Sequence, residues 1–282
     1  MLKLLMIVSV LSSLVIANDI VLKYETKRVK KALKRAKGIE LKDVKLLLKK
    51  PLKKAGWYGY IFDLKLTAMG KSVHQRDILF SDGEVVTSEL IDINSNVSFK
   101  NILYPTLGVE YYNTEHLIAG DKNASHKLVL FSDPLCPICL DEVADLIKSV
   151  KQNPRILSLY YYPMPLDMHP TAKTMVKAAM LLQMRGYKDV DYKLYKINQD
   201  NFNTSKPIYD QYEEKDNKKA LEYFNTIFNT NLKLSDLDSQ VLKEKVQADL
   251  DMAEKAFVQG TPTLFVDGEF DRTRSKYEKY IK

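Results

Sequence analysis

Two cysteines occur in this chain of 282 residues, and they stand three positions apart as Cys136-Pro137-Ile138-Cys139. Before them runs a short apolar stretch, Lys127 to Phe131, of the kind that forms a buried strand. Ser132-Asp133-Pro134-Leu135 then turns the chain into the pair. After it, Leu140, Val143, Ala144, Ile147 and Val150 recur on one face of a helix that starts at the cysteines. Ile156 to Tyr162 reads as a further strand. Strand, cysteines, helix, strand is a βαβ unit with the pair at the helix N-terminus, and parallel strands need such a crossover. The second half of the chain is therefore predicted to be an α/β domain.

The position of the pair suggests chemistry. A thiolate attacks disulfides where a thiol does not, and a free cysteine titrates near pH ~8.5. A helix N-terminus offers unpaired N–H groups and the positive dipole end, both of which favour the charged sulfur of Cys136. Pro137 suits the first turn, where its missing N–H removes no bond. Cys139 falls on the same face, less exposed, placed to close a bridge and release a mixed disulfide. Three plainer readings compete. A structural loop disulfide would stabilise little, because so short a loop removes little unfolded-state entropy. Half of a zinc site would need ligands from His74, His116, His126 and His169, and four are wanted. An inert reduced pair would be closed by an oxidising compartment. No metal and no cofactor beyond the pair itself is expected.

The N-terminus bears on that compartment. Lys3, the nearly uncharged run Leu4 to Ile16 and the small-residue site Val15-Ile16-Ala17 read as a secretory signal peptide, residues 1–17, cut after Ala17. The run is too short to span a bilayer, which takes about 20 apolar residues. Hydrophobic content of 45% with 28% charged residues fits a globular protein and excludes a disordered one. The net charge of +7 concentrates before Trp57. Nucleic acid is not expected as a partner outside the cytosol. A solvated basic face is the first reading, and a module for anionic lipid or acidic clients the alternative.

Further organisation follows from changes of period. Val29, Ala32, Leu33 and Ala36 predict a helix stopped near Gly38. Leu41, Val44, Leu47 and Leu48 predict a second, ending before Pro51. From Trp57 to Leu66 the residues are β-formers, with strand candidates at Arg76–Phe80 and Val85–Ile93 about a Ser81-Asp82-Gly83 turn. Residues 18–100 thus read as a helix-plus-antiparallel-sheet α+β unit and 101–126 as a linker. Residues 127–282 form the α/β domain, interrupted by a helical stretch from about 170 to 256 with breaks near Gly186, Lys206-Pro207 and Leu234-Ser235. Thr263 to Phe270 reads as a hairpin turning at Asp267-Gly268, and Arg272 to Ile281 as a short closing helix. His169 is read as a structural loop histidine. Asn123-Ala124-Ser125, with Asp121 two positions ahead, is an N-glycosylation acceptor pattern.

Phe131-Ser132-Asp133-Pro134-Leu135-Cys136-Pro137-Ile138-Cys139, followed far downstream by Gly260-Thr261-Pro262-Thr263-Leu264, resembles the DsbC/DsbG family of periplasmic disulfide isomerases within the thioredoxin superfamily. The resemblance implies an N-terminal dimerisation domain, a linker and a thioredoxin-like catalytic domain with a helical insertion. It implies Cys136 as nucleophile, Cys139 as resolving thiol, Pro262 as a cis-proline beside them and Thr261 as the residue whose backbone pairs with substrate. It also implies a homodimer acting in the periplasm on exported clients that carry disulfides or thiols. Pro137-Ile138, a dipeptide that tunes redox poise, departs from the family in lacking an aromatic second residue. Two directions therefore stay open. One is an isomerase or reductase served by a membrane thiol reductase of the DsbD type. The other is a DsbA-like oxidase served by an oxidase of the DsbB type. A basic-surface binding module or chaperone with secondary redox activity is the alternative from another class.

Overall fold

The computed structural model describes residues 19–34, 36, 38–68, 71–202 and 215–282, which fall into two compact units divided between Leu103 and Tyr104. The expected signal peptide and the break at Lys206-Pro207 lie outside the described residues. In the first unit, helix α1 (Ile20–Leu33) is capped by Asp19, whose carboxylate accepts from the Val21 N–H at 2.9 Å. Val21 and Val29 turn inward onto a sheet made of β1 (Ile39–Pro51), β2 (Tyr58–Ala68), β3 (Lys71–Ser81) and the short β4 (Val86–Thr87). The core between them holds Leu46, Tyr60, Phe62, Leu64, Leu66 and Leu79. Glu25 is fully buried beneath α1 and held by the Arg28 guanidinium at 2.7 and 2.8 Å. Lys23, Lys27, Lys30, Lys31 and Lys34 are exposed.

The helix expected over Leu41–Leu48 is instead strand β1. It pairs antiparallel with β2, and Lys42 and Leu47 are extra residues at two irregularities in the register. Each bulge adds a residue to one strand. The positions facing the core side of β2 are therefore Leu41 opposite Leu66, Val44 opposite Leu64, Leu46 opposite Phe62 and Lys49 opposite Tyr60. Steps of three, two and three residues mimic a helical period. The strand expected over Val85–Ile93 is also corrected. It is broken into β4 and β5 (Ile91–Asp92), the latter paired with β6 (Val97–Ser98) in a separate ribbon. The turn at Gly83 is as expected, with φ +99°.

The second unit begins earlier than the sequence suggested. Within 101–126, read as a linker, lie two single 3₁₀ turns and β7 (Leu117–Gly120), which pairs with β9 (Leu157–Pro163). The sheet runs β11 (Glu269–Asp271), β10 (Thr263–Val266), β8 (His126–Ser132), β9, β7. Strands β8 and β9 are parallel and joined through α2 (Pro137–Gln152). Alternation along β8 sends Leu128 and Leu130 toward Leu140, Val143 and Ile147 of α2, and Val129 and Phe131 to an aromatic layer with Tyr160, Tyr162 and Phe265. Among the described residues, four α-helices stand between β9 and β10, namely α3 (Ala172–Met184), α4 (Val190–Phe202), α5 (Asn217–Phe228) and α6 (Gln240–Lys255). They share a core that includes Met175, Leu182, Leu194, Phe224 and Leu242. The closing segment is a 3₁₀ turn, Lys276–Tyr280, shorter than the helix expected over 272–281. No helix among the described residues is long and apolar enough to cross a membrane.

Candidate active site

Asp133 builds the entrance to α2. One carboxylate oxygen accepts from the Leu135 N–H at 2.7 Å. The other meets the Leu166 N–H at 2.7 Å and His169 Nδ1 at 2.9 Å. Asp133 and His169 are both buried. His169 thus locks the loop after β9 to the loop before α2, and its carboxylate partner raises its proton affinity against the opposing effect of burial. The Cys136 N–H closes the turn on the Asp133 carbonyl at 3.1 Å.

Cys136 is the N-cap of α2, in extended backbone conformation, with Pro137 in the first turn. Both cysteines are free thiols. Cys136, read as the more exposed of the two, has only 6% of its surface open, and Cys139 is fully enclosed. The loop carrying Thr261 covers it, with Cys136 Sγ 3.5 Å from the Thr261 carbonyl oxygen. The Cys136 thiol is nonetheless lowered to about 6. The Cys139 thiol donates to its charged form, and the Thr261 side chain with the N–H groups of Ile138 and Cys139 adds to this against the cost of burial. Cys139 moves the other way. Burial raises it first and the neighbouring sulfur second, while contacts from Ser132 and Thr261 partly oppose them.

The Thr261–Pro262 bond is cis. Thr261 Oγ1 is buried and makes no regular hydrogen bond, so the cysteine sulfurs are the groups it serves. Pro137 is half-buried and Ile138 is 51% exposed, which leaves an apolar side chain beside the nucleophile. Asn123 lies elsewhere, on an exposed turn whose N–H donates to Asp121 at 2.8 Å. His74, His116 and His126 each pair with an aspartate of their own, Asp63, Asp249 and Asp267.

Sequence reading did not find the polar groups behind Cys139. The Tyr195 hydroxyl donates to Ser132 Oγ at 2.7 Å and lies 3.1 Å from the Tyr161 hydroxyl. All three residues are buried. Ser132 stands inside the cysteine motif and was within reach of inspection. Tyr161 read only as a strand residue, and Tyr195 sits on α4 with no local signal tying it to the cysteines.

Residues 112–282 match the family model described as Thioredoxin. A Bacillus anthracis protein named "Probable disulfide bond formation protein D" is 26% identical over 184 residues, which is 61% of this chain and 80% of that protein. Among solved structures, oxidised BdbD from Bacillus subtilis is similar at 16% identity and a TM-score of 0.45, over 62% of this chain and 92% of that one. A thioredoxin-like oxidoreductase from Silicibacter pomeroyi gives 15% identity and a TM-score of 0.48, over 62% and 95%.

Proposed function

This chain belongs to the thioredoxin family and is a thiol–disulfide oxidoreductase, and on that premise we propose that it exchanges disulfides with exported proteins through Cys136 and then Cys139. The carrying observation is the opposite tuning of two adjacent thiols, one lowered at a helix start and the other raised by enclosure. In the reducing direction the Cys136 thiolate attacks a client disulfide, and the far client sulfur leaves with the electron pair. Cys139 then attacks Cys136 Sγ, closing the internal disulfide and releasing the second client sulfur. The pair loses two electrons and the client gains them. Exposed Ile138 offers the client an apolar foothold, and the Thr261 backbone is the edge on which an extended segment docks.

Two directions of net flow are each supported by an observation. The DsbC/DsbG-type isomerase or reductase is favoured by the separate first unit. There the 13-residue strand β1 ends the sheet with an edge that no described strand pairs, suited to joining two copies as a homodimer. Such an enzyme needs a membrane thiol reductase of the DsbD type. The DsbA-type oxidase is favoured by the low Cys136 thiol, because stabilising the thiolate stabilises the reduced form and makes the disulfide more oxidising. It needs a quinone-linked oxidase of the DsbB type. Export through residues 1–17 to the periplasm belongs to both. Equilibration in glutathione buffers distinguishes them: a potential near about −180 mV supports the isomerase and one near about −120 mV the oxidase. Absence of any redox couple in the Cys136–Cys139 pair would overturn both.

A further inference from the structure

Resolution of the mixed disulfide needs Cys139 as a thiolate, yet the Cys139 sulfur is sealed from solvent. Its proton must leave through the protein. Behind it stands a line of buried hydroxyls. The Ser132 hydroxyl reaches the Cys139 sulfur and favours its charged form. Tyr195 Oη is 2.7 Å from Ser132 Oγ, and Tyr161 Oη is 3.1 Å from Tyr195 Oη. Either tyrosine can be the donor in that last pair, and rotation of the Ser132 and Tyr195 hydroxyls reverses the first, so the line can carry hydrogen bonds in both directions. Tyr161 then lines a cavity of about 510 Å³ together with Asp191, which lies in the first turn of α4.

We propose that Ser132, Tyr195 and Tyr161 form a proton relay that deprotonates Cys139 and delivers the proton to the Asp191 carboxylate through this cavity. The inference rests on Cys136 and Cys139 being the redox pair. In the step, the Cys139 proton passes to Ser132 Oγ as the serine proton passes to Tyr195, the Tyr195 proton to Tyr161, and the Tyr161 proton to Asp191 by way of water, for which the cavity has room. The freed Cys139 sulfur bonds to Cys136 Sγ, and the client sulfur leaves with the electron pair of the broken bond. Charge is conserved, since a neutral carboxyl and a client thiolate replace a carboxylate and a thiol. Running backwards, the same line returns a proton to Cys139 when the internal disulfide is reduced.

Asp191 is suited to the acceptor's role by its setting. It is 6% exposed, and burial pushes it up to about 7, so it can both take and give a proton near neutrality. Its hydrogen-bond partner is the neutral Gln183 amide of α3 at 2.5 Å. The other ionisable groups facing the cavity, besides Tyr161, are matched to one another. Glu115 meets Lys245 at 2.8 Å, and His116 meets Asp249 at 2.7 Å. Protonation of Asp191 therefore breaks no ion pair.

The test is a rapid-mixing reaction of the reduced mature protein with an aromatic disulfide reagent that releases a coloured thiol. Attack by Cys136 releases the first equivalent and resolution by Cys139 the second, so the two steps are timed separately. Tyr195→Phe is expected to leave the first release in place and slow the second on the order of 10²-fold, the usual weight of a positioned proton acceptor. Tyr161→Phe should do the same, and Asp191→Asn should abolish the bend near pH 7 in the wild-type rate of the second release. Slowing of both releases alike in Tyr195→Phe would mean disturbed packing and would overturn the relay, as would an unchanged second release. A wild-type protein that gives no second release would overturn the redox-pair reading itself.

Discussion

A sulfur at the first position of a helix is surrounded by backbone N–H groups that have no partner within the helix. Those of Ile138 and Cys139 add to the hydrogen bond from the Cys139 thiol and to the Thr261 side chain, and together they hold the Cys136 thiol at about 6 although little of it is exposed. For a thiol lowered on folding, stability of the reduced form is present above the unfolded value near pH ~8.5 and is lost as pH falls through 6. Reduced protein should therefore lose stability relative to Cys136→Ala as pH falls from 9 to 5, measured by urea unfolding. The alkylation rate of Cys136 should level off above pH 7, with Cys139 unreactive while the fold persists. Cys139→Ala should accumulate mixed disulfides with clients, seen as thiol-sensitive adducts on gels. Asp191 has the opposite sign. A buried carboxyl raised from 3.8 to about 7 stabilises the fold at low pH and destabilises it as pH rises through that window. Asp191→Asn should raise the stability at pH 8 by up to ~4 kcal/mol, with no gain below pH 4. Thr261→Val removes a buried hydroxyl that favours both thiolates while keeping the side chain's shape. The fold should persist, and the Cys136 alkylation midpoint should move upward.

At the level of elements, the patterns that were legible are those whose packing is local. The face of α2, the turn at Asp267-Gly268 and the strand run from Trp57 to Leu66 each depend on residues close in sequence, and periodicity reports them directly. Strand β1 was not legible, because its two bulges convert alternation into steps of three. The distinction can be measured. Leu46 faces Phe62 and is buried, so Leu46→Ala should cost about 2–4 kcal/mol in urea denaturation. Leu47, the extra residue of the second bulge, is only partly covered, and Leu47→Ala should cost no more than about 1 kcal/mol. A helix packed through Leu41, Val44, Leu47 and Leu48 would rank these two the other way. The tyrosine line was illegible for a different reason. Tyr195 and Ser132 are 63 residues apart and meet only because α4 packs beside α2. A serine at a strand end and a tyrosine on a helix carry no period that announces the contact.

For the whole molecule, each unit has a core of its own, which predicts separate folding. Residues 104–282 alone should retain a cooperative transition and the reactive Cys136 thiol. The sheet of the first unit ends in β1, so full-length mature protein should scatter light as a dimer and residues 104–282 as a monomer. A monomeric mature chain at micromolar concentration would remove the homodimer from the functional proposal. Within the second unit, the Asp133 carboxylate holds three points of the site at once, through Leu135, Leu166 and His169. That anchorage fixes the backbone on both sides of the cysteines by bonds that do not involve sulfur. Closing or opening the disulfide is therefore expected to rearrange a few atoms at the tip of α2 and to leave the backbone held by Asp133 in place. The two electrons would then be stored with the frame of the second unit unchanged. Any partner that must tell the charged carrier from the spent one has to read it by touch, through the reactivity of one sulfur beside Ile138, and not by shape.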